Sequence, residues 1–188
     1  MKLLTYQTQN SEARLGFIHN NKVIDMENFG NIMQFPLPST MLGLIDMGDI
    51  VIPEINALMI NCDPNDLLGI SFTMEEITIL APIPTPRKNI IGIGLNFTEH
   101  VAESARTLDT SKELPQKPII FSKPPTAVTA TNTNILLNPK LTQQLDWEVE
   151  LAVVIGKKGK YVAKENALDY VFGYTVINDI SARDCRRA

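Results

Sequence analysis

Cysteine is scarce in this chain: only Cys62 and Cys185 occur among 188 residues, far apart and in no zinc-binding spacing. That excludes a disulfide-stapled fold and a structural zinc site, and both thiols are expected to be reduced. Long apolar runs are also missing; nothing approaches the roughly 18 residues that would span a bilayer. The start, Met1-Lys2-Leu3-Leu4-Thr5-Tyr6-Gln7, turns polar too soon for a signal peptide, so a cytoplasmic location is expected. Basic charge is in deficit, with 17 Lys and Arg against 21 Asp and Glu, a net of −4. This speaks against a nucleic-acid surface, and a small anionic substrate would need local positive charge.

What is present is ordinary globular material. At 44% hydrophobic and 20% charged residues, disorder and fibrous classes are excluded, and 188 residues bury a real core in one domain or in a small and a medium one. Leu3-Leu4-Thr5-Tyr6, Arg14-Leu15-Gly16-Phe17-Ile18 and Val23-Ile24-Asp25-Met26 predict an antiparallel meander, turning at Asn20-Asn21 because Asn tolerates positive φ. Residues 40–45 and 55–60 read as two short helices. Ala81-Pro82-Ile83-Pro84-Thr85-Pro86 admits neither helix interior nor central strand and marks a passage between units. The expected division is a small α+β N-terminal domain at 1–72 and a mainly β domain at 73–188. In the latter, Asn89 to Leu95 predicts a short buried strand, Thr98 to Arg106 a helix, Ile119-Ile120-Phe121 a strand, and Lys164 to Tyr170 a short helix. Gly156-Lys157-Lys158-Gly159-Lys160 reads as a hairpin turn with solvated lysines.

Two carboxylates interrupt the apolar run Asp146-Trp147-Glu148-Val149-Glu150-Leu151-Ala152-Val153-Val154-Ile155. Side chains alternate along a strand, so Glu148 and Glu150 face one way, about 6.5 Å apart, while Trp147, Val149 and Leu151 face the other. Val153-Val154-Ile155, apolar at every position, predicts a strand covered on both faces. Unpaired carboxylates beside a core cost several kcal/mol each, so solvent, protons, cationic side chains or a metal must answer them. Asp179 ends a second strand-like run, Gly173 to Asp179. Three oxygen donors from two strands suit a hard divalent cation, Mg²⁺, Mn²⁺ or Ca²⁺. The plainer alternative is a half-exposed strand with solvated acids, followed by an Asn-Asp turn.

His100 and Glu103 stand three apart in Asn96-Phe97-Thr98-Glu99-His100-Val101-Ala102-Glu103, on one face of a helix. A carboxylate beside an imidazole orients the ring and raises its pKa, which suits a general base; the alternative is a solvated i,i+3 pair. His19 reads as part of a turn. Gly92-Ile93-Gly94 lacks the third glycine of a dinucleotide fingerprint, Phe97 standing there, so no nucleotide site is expected. Arg183, Arg186 and Arg187 read equally as steering groups for an anion or as exposed side chains.

Four ordered motifs carry a resemblance: Gly94-Leu95-Asn96-Phe97 through His100 and Glu103; Phe121-Ser122-Lys123-Pro124-Pro125; Asp146 through Gly156; and Gly173-Tyr174-Thr175 through Asn178-Asp179-Ile180-Ser181-Ala182-Arg183-Asp184. From about residue 70 onward the chain resembles the fumarylacetoacetate hydrolase family, and its N-terminal unit resembles the small leading domain of bacterial members. The resemblance implies a mixed β-sandwich roll, incomplete here, usually a homodimer, binding Mg²⁺ or Mn²⁺. It implies Glu148, Glu150 and Asp179 as metal ligands, His100 and Glu103 as the catalytic pair on a closing helix, and Lys123 and Arg183 as substrate-binding groups. Phe97 stands where relatives commonly have tyrosine, and Cys185 where an aromatic is frequent. Family members also run well past the Ser-Ala-Arg-Asp motif, adding strands and a later lysine, so a fragment of a longer protein is the expected reading.

Such enzymes act on small 2-oxo and 1,3-dioxo acids. The resemblance implies hydrolysis of a carbon–carbon bond in an acylpyruvate- or fumarylacetoacetate-like substrate through a metal-stabilised enolate. Decarboxylation of oxaloacetate, or isomerisation or hydration of an oxo-dienoate, would use the same site. A reading from another class is a catalytically silent metal-binding fragment.

Overall fold

A computed structural model describes residues 1–9, 11–48, 50–97 and 115–187. The helix expected at 98–106, with His100 and Glu103, lies outside the described residues. So do the side chains of Arg186 and Arg187. By contacts the chain divides into two units, Met1–Ile83 with Ala130–Ala188, and Pro84–Thr129. Mixed α and β structure, mainly β, is the class read from the sequence.

The first unit begins with the expected meander. Strands β1 (Leu3–Gln7), β2 (Arg14–His19) and β3 (Lys22–Asp25) pair antiparallel, and β4 (Ser71–Phe72) and β5 (Thr78–Ile79) complete a five-stranded sheet in the order β4-β3-β2-β1-β5. The turn between β2 and β3 holds Asn20 at φ 46° and Asn21 at φ 60°, the left-handed geometry that matches the twist of a tight hairpin. Helices α2 (Met41–Asp46) and α3 (Val51–Ile60) agree with the two short helices expected. Helix α1 (Met26–Ile32) was not expected. Its N-cap is Asp25, the last residue of β3, whose carboxylate accepts from the Asn28 N–H.

Leu15, Phe17 and Ile24 of the sheet meet Met26 and Phe29 of α1, Leu44 of α2 and Ile55 of α3 in one buried cluster. Each such side chain contributes on the order of 1.5–3 kcal/mol by leaving water. Phe17 and Phe29 pack edge to face, their centroids 5.3 Å apart. At the rim, Asp25 is 1% exposed. Its Oδ2 accepts from Arg14 Nε at 2.5 Å and from the Tyr6 hydroxyl at 2.6 Å, and its Oδ1 accepts from Arg14 Nη2 at 2.8 Å. Burial pushes the Asp25 carboxyl up, but these donors outweigh it and hold the pKa below the ordinary range.

Later residues of the same unit form β8 (Leu145–Asp146), β9 (Val149–Ile155), β10 (Val171–Asn178) and β11 (Ser181–Ala182). β9 pairs antiparallel with β10, and β8 with β11. Val154 and Phe172 pack against the N-terminal core cluster. The other side of the strand pair is open: Trp147 is 71% exposed and Leu151 69%, with Val149, Val153, Ile155, Tyr174 and Val176 exposed beside them. This corrects the expectation of a strand covered on both faces. Alternation is kept, but among the described residues the apolar side is the uncovered one. The expected hairpin turn at 156–160 is also corrected, since β9 ends at Ile155 and β10 begins at Val171, with a 3₁₀ helix over Lys164–Tyr170 between them.

In the second unit β6 (Ile90–Gly94) pairs antiparallel with β7 (Ile119–Lys123). Gly92 lies opposite Phe121, and a Cβ there would meet the ring at 2.2 Å, so only glycine admits the aromatic across the pair. Ile91 is exposed, unlike the buried strand expected. Just past β6, Leu95 has φ 52°, a left-handed conformation costing a non-glycine residue about 1 kcal/mol or more.

Candidate functional site

Glu148 and Asp179 meet through the backbone. The Asp179 N–H donates to the Glu148 carbonyl at 2.7 Å, and the Glu148 N–H donates to Asn178 Oδ1 at 3.1 Å. These bonds extend the β9–β10 ladder, in which Glu150 stands opposite Ile177 and Val149 opposite Asn178. Glu150 in β9, Glu148 just before it and Asp179 just after β10 therefore occupy one end of one strand pair. Burial along β9 alternates, with Glu150, Ala152 and Val154 on the more covered side, as the sequence spacing required for the glutamates. Asp179 is 3% exposed.

Arg183 supplies positive charge at this end. Its Nε lies 2.9 Å from Asp146 Oδ2 and its Nη2 3.0 Å from Glu148 Oε1. The Arg183 hydrogen bond holds the Asp146 carboxyl below its ordinary pKa, with the Trp147 N–H assisting. For Arg183 itself burial works against the charge, but Asp146 and Glu148 outweigh it and raise the guanidinium pKa.

The following residue fixes where that guanidinium starts. Asp184 Oδ1 accepts from the Thr142 hydroxyl and its Oδ2 from the Gln143 N–H at 2.9 Å, while the Arg183 N–H donates to the Gln144 carbonyl at 2.9 Å. β11 sets Ser181 opposite Asp146 and Ala182 opposite Leu145. Thus the Ser181-Ala182-Arg183-Asp184 segment and residues 142–146 form one bracket beside the carboxylates. Thr142, Asn178 and the pairing role of Asp146 were not anticipated; the residues joined are 30 to 42 apart in sequence, a separation over which no local pattern signals contact.

Glu148, Glu150 and Asp179 are all carboxylates, a donor set that fits a hard divalent ion, and the strand pairing brings their backbones together. Their side chains are not drawn into a cage: among the described residues no three His, Cys, Asp or Glu side chains are grouped closely enough to hold an ion. Glu148 is engaged with Arg183 instead. Lys123 is half-buried at the end of β7, in the other unit.

Comparison with known proteins gives the following. A family model described as Fumarylacetoacetate (FAA) hydrolase C-terminal matches residues 89–188. The chain is 35% identical over 187 residues to the mitochondrial oxaloacetate tautomerase FAHD2A of Bos taurus, covering 98% of this chain and 54% of that protein. It is 45% identical over 125 residues to the oxaloacetate tautomerase YisK of Bacillus subtilis, covering 66% of this chain and 40% of that one. Among solved structures, a fumarylacetoacetate hydrolase from Exiguobacterium antarcticum superimposes with a TM-score of 0.69 at 28% identity, over 100% of this chain and 58% of the other. The chain thus spans about half the length of such relatives.

Proposed function

Since the chain belongs to the fumarylacetoacetate hydrolase family, we propose that it serves a divalent-cation-dependent enzyme that moves a proton between carbon and oxygen in small 2-oxo acids of the oxaloacetate class. The observation that carries this reading is the backbone tie between Glu148 and Asp179, which brings acids from two strands to one place. The tautomerase relatives favour proton transfer over the carbon–carbon hydrolysis expected first. Both reactions pass through an enolate, so the change concerns where a proton is delivered.

Glu148, Glu150 and Asp179 would hold Mg²⁺ or Mn²⁺, which supplies the Lewis-acid charge that enolisation of a 2-oxo acid needs. His100 takes the proton from the carbon next to the oxo group and delivers it to the oxo oxygen, so that the C–H bond broken is replaced by the enol O–H; the reverse reaction runs through the same proton on the ring. Glu103, three residues on in the sequence, would set the tautomer and raise the basicity of the ring. Lys123 and Arg183 bind substrate carboxylate. No water is consumed in this reaction.

The test follows the decay of enol absorbance of oxaloacetate with Mg²⁺ or Mn²⁺. His100→Ala is expected to lower the rate by roughly 10²- to 10⁴-fold, the usual worth of a positioned base. Full turnover by that variant would remove His100 from the mechanism. Turnover of acylpyruvates with no effect on oxaloacetate would return the reading to hydrolysis.

A further inference from the structure

Arg183 faces two carboxylates with one guanidinium, and the two are not equivalent. Asp146 has a side-chain exposure of 44% and Glu148 of 20%. The contact to Asp146 is made by Nε, close to the stem of the side chain, and the contact to Glu148 by the outer Nη2. The backbone behind the guanidinium is held by the β8–β11 pairing, by the Arg183 N–H on Gln144, and by Asp184 on Thr142 and Gln143. Arg183 therefore cannot leave the region, but its outer nitrogen can leave Glu148 while Nε stays on Asp146.

A dication ligated by Glu148 sits about 2.0–2.6 Å from its oxygen. With Nη2 already 3.0 Å from Oε1, ion and guanidinium would stand roughly 4 Å apart, and like charges at that distance in a partly buried site repel strongly. Glu148 Oε1 is buried and within 3.0 Å of Nη2 without a well-aligned hydrogen bond, so an ion on this carboxylate meets the guanidinium as a like charge rather than as a firmly bonded partner. We propose that Arg183 is the built-in competitor of the divalent cation for Glu148, and that Asp146 is the post that holds the guanidinium when the cation takes over. This inference rests on the metal reading of Glu148, Glu150 and Asp179 given above. In the cation-free protein Arg183 offsets the charge of Glu148; on loading, Nη2 is given up and Nε keeps Asp146. Affinity for the cation is thereby set below what the carboxylates alone would provide.

The measurement is Mn²⁺ affinity, by calorimetry and by the electron paramagnetic resonance of free Mn²⁺, on the full chain without substrate. Arg183→Gln removes the competitor and is expected to tighten Mn²⁺ by about three- to tenfold, the worth of a partly exposed ion pair and of one like charge removed. Asp146→Asn keeps an oxygen for the Trp147 N–H but weakens the post, leaving the guanidinium on Glu148, and is expected to weaken Mn²⁺ by about twofold or more. In the Arg183→Gln background the Asp146 change should lose its effect, which is the signature of coupling. Arg183→Lys, which keeps charge without the fork, should fall between wild type and Arg183→Gln, and it serves if Arg183→Gln does not fold.

If Arg183→Gln or Arg183→Lys binds Mn²⁺ no tighter than wild type, the arginine orients Glu148 for the ion and the exchange is wrong. If wild type binds no Mn²⁺, or Glu148→Gln leaves binding intact, the metal reading itself falls and the exchange with it. The first outcome leaves the metal site standing, so the two failures are distinguishable.

Discussion

The N-terminal sheet and the β9–β10 pair are both antiparallel, yet they stand in opposite conditions. The first has its helices folded against it and a closed cluster from Leu15 to Ile70; the second turns Val154 and Phe172 to that cluster and presents Trp147, Val149 and Leu151 to solvent. Local pairing alone thus does not make a core. The N-terminal sheet draws its stability from a closed cluster whose members come mostly from residues 15 to 70. The strands bearing the carboxylates have only one covered face, and isolated two-stranded sheets are marginal in water.

Truncation on each side should expose this contrast most sharply. Phe29→Ala in the closed cluster is expected to cost about 3–5 kcal/mol, since a buried aromatic is lost and a cavity left; chemical denaturation of the N-terminal sheet measures it. A smaller loss, about 2–3 kcal/mol, is expected for Asp25→Asn. Breaking a buried ion pair costs more than this, but Arg14 is 28% exposed and solvent screens it. The pH dependence carries a sign. Asp25 has a folded pKa below its unfolded value near 3.9, so its stabilisation is present above about pH 4 and is lost as pH falls through the folded pKa. Acid titration of the melting temperature should show that loss in wild type and a flatter curve in Asp25→Asn. Smallest of all, Leu151→Ser on the open side should change stability by about 0.5 kcal/mol or less. A loss of several kcal/mol there would mean that the face is covered in solution.

Much of the N-terminal sheet and its helices was legible in the sequence because its signals are local. Asn20-Asn21 named its turn, Thr40 caps α2 through Gly43, and the alternation around Glu148 and Glu150 survives in β9. Helix α1 was hidden because Asp25 ends a strand and caps a helix in a single residue, leaving no polar linker to mark the change. At the carboxylates, residue type and spacing indicated a hard cation. Asp184 reaching back to Thr142 and Gln143, and Arg183 dividing itself between Asp146 and Glu148, depend on strands that meet from distant parts of the chain. The expectation that β9 is covered on both faces failed for a related reason: apolar residues at successive positions report that both faces can be buried, and whether they are depends on what packs there.

Val154 and Glu150 lie on the same side of β9, four residues or about 13 Å apart, and Val154 rests on the hydrophobic cluster beneath the N-terminal sheet. One continuous strand therefore links an apolar anchor to an acidic tip. If the proposed ion is held at that tip, mass action would add to the stability of the folded chain as its concentration rises, and the melting temperature of the unit would climb with it.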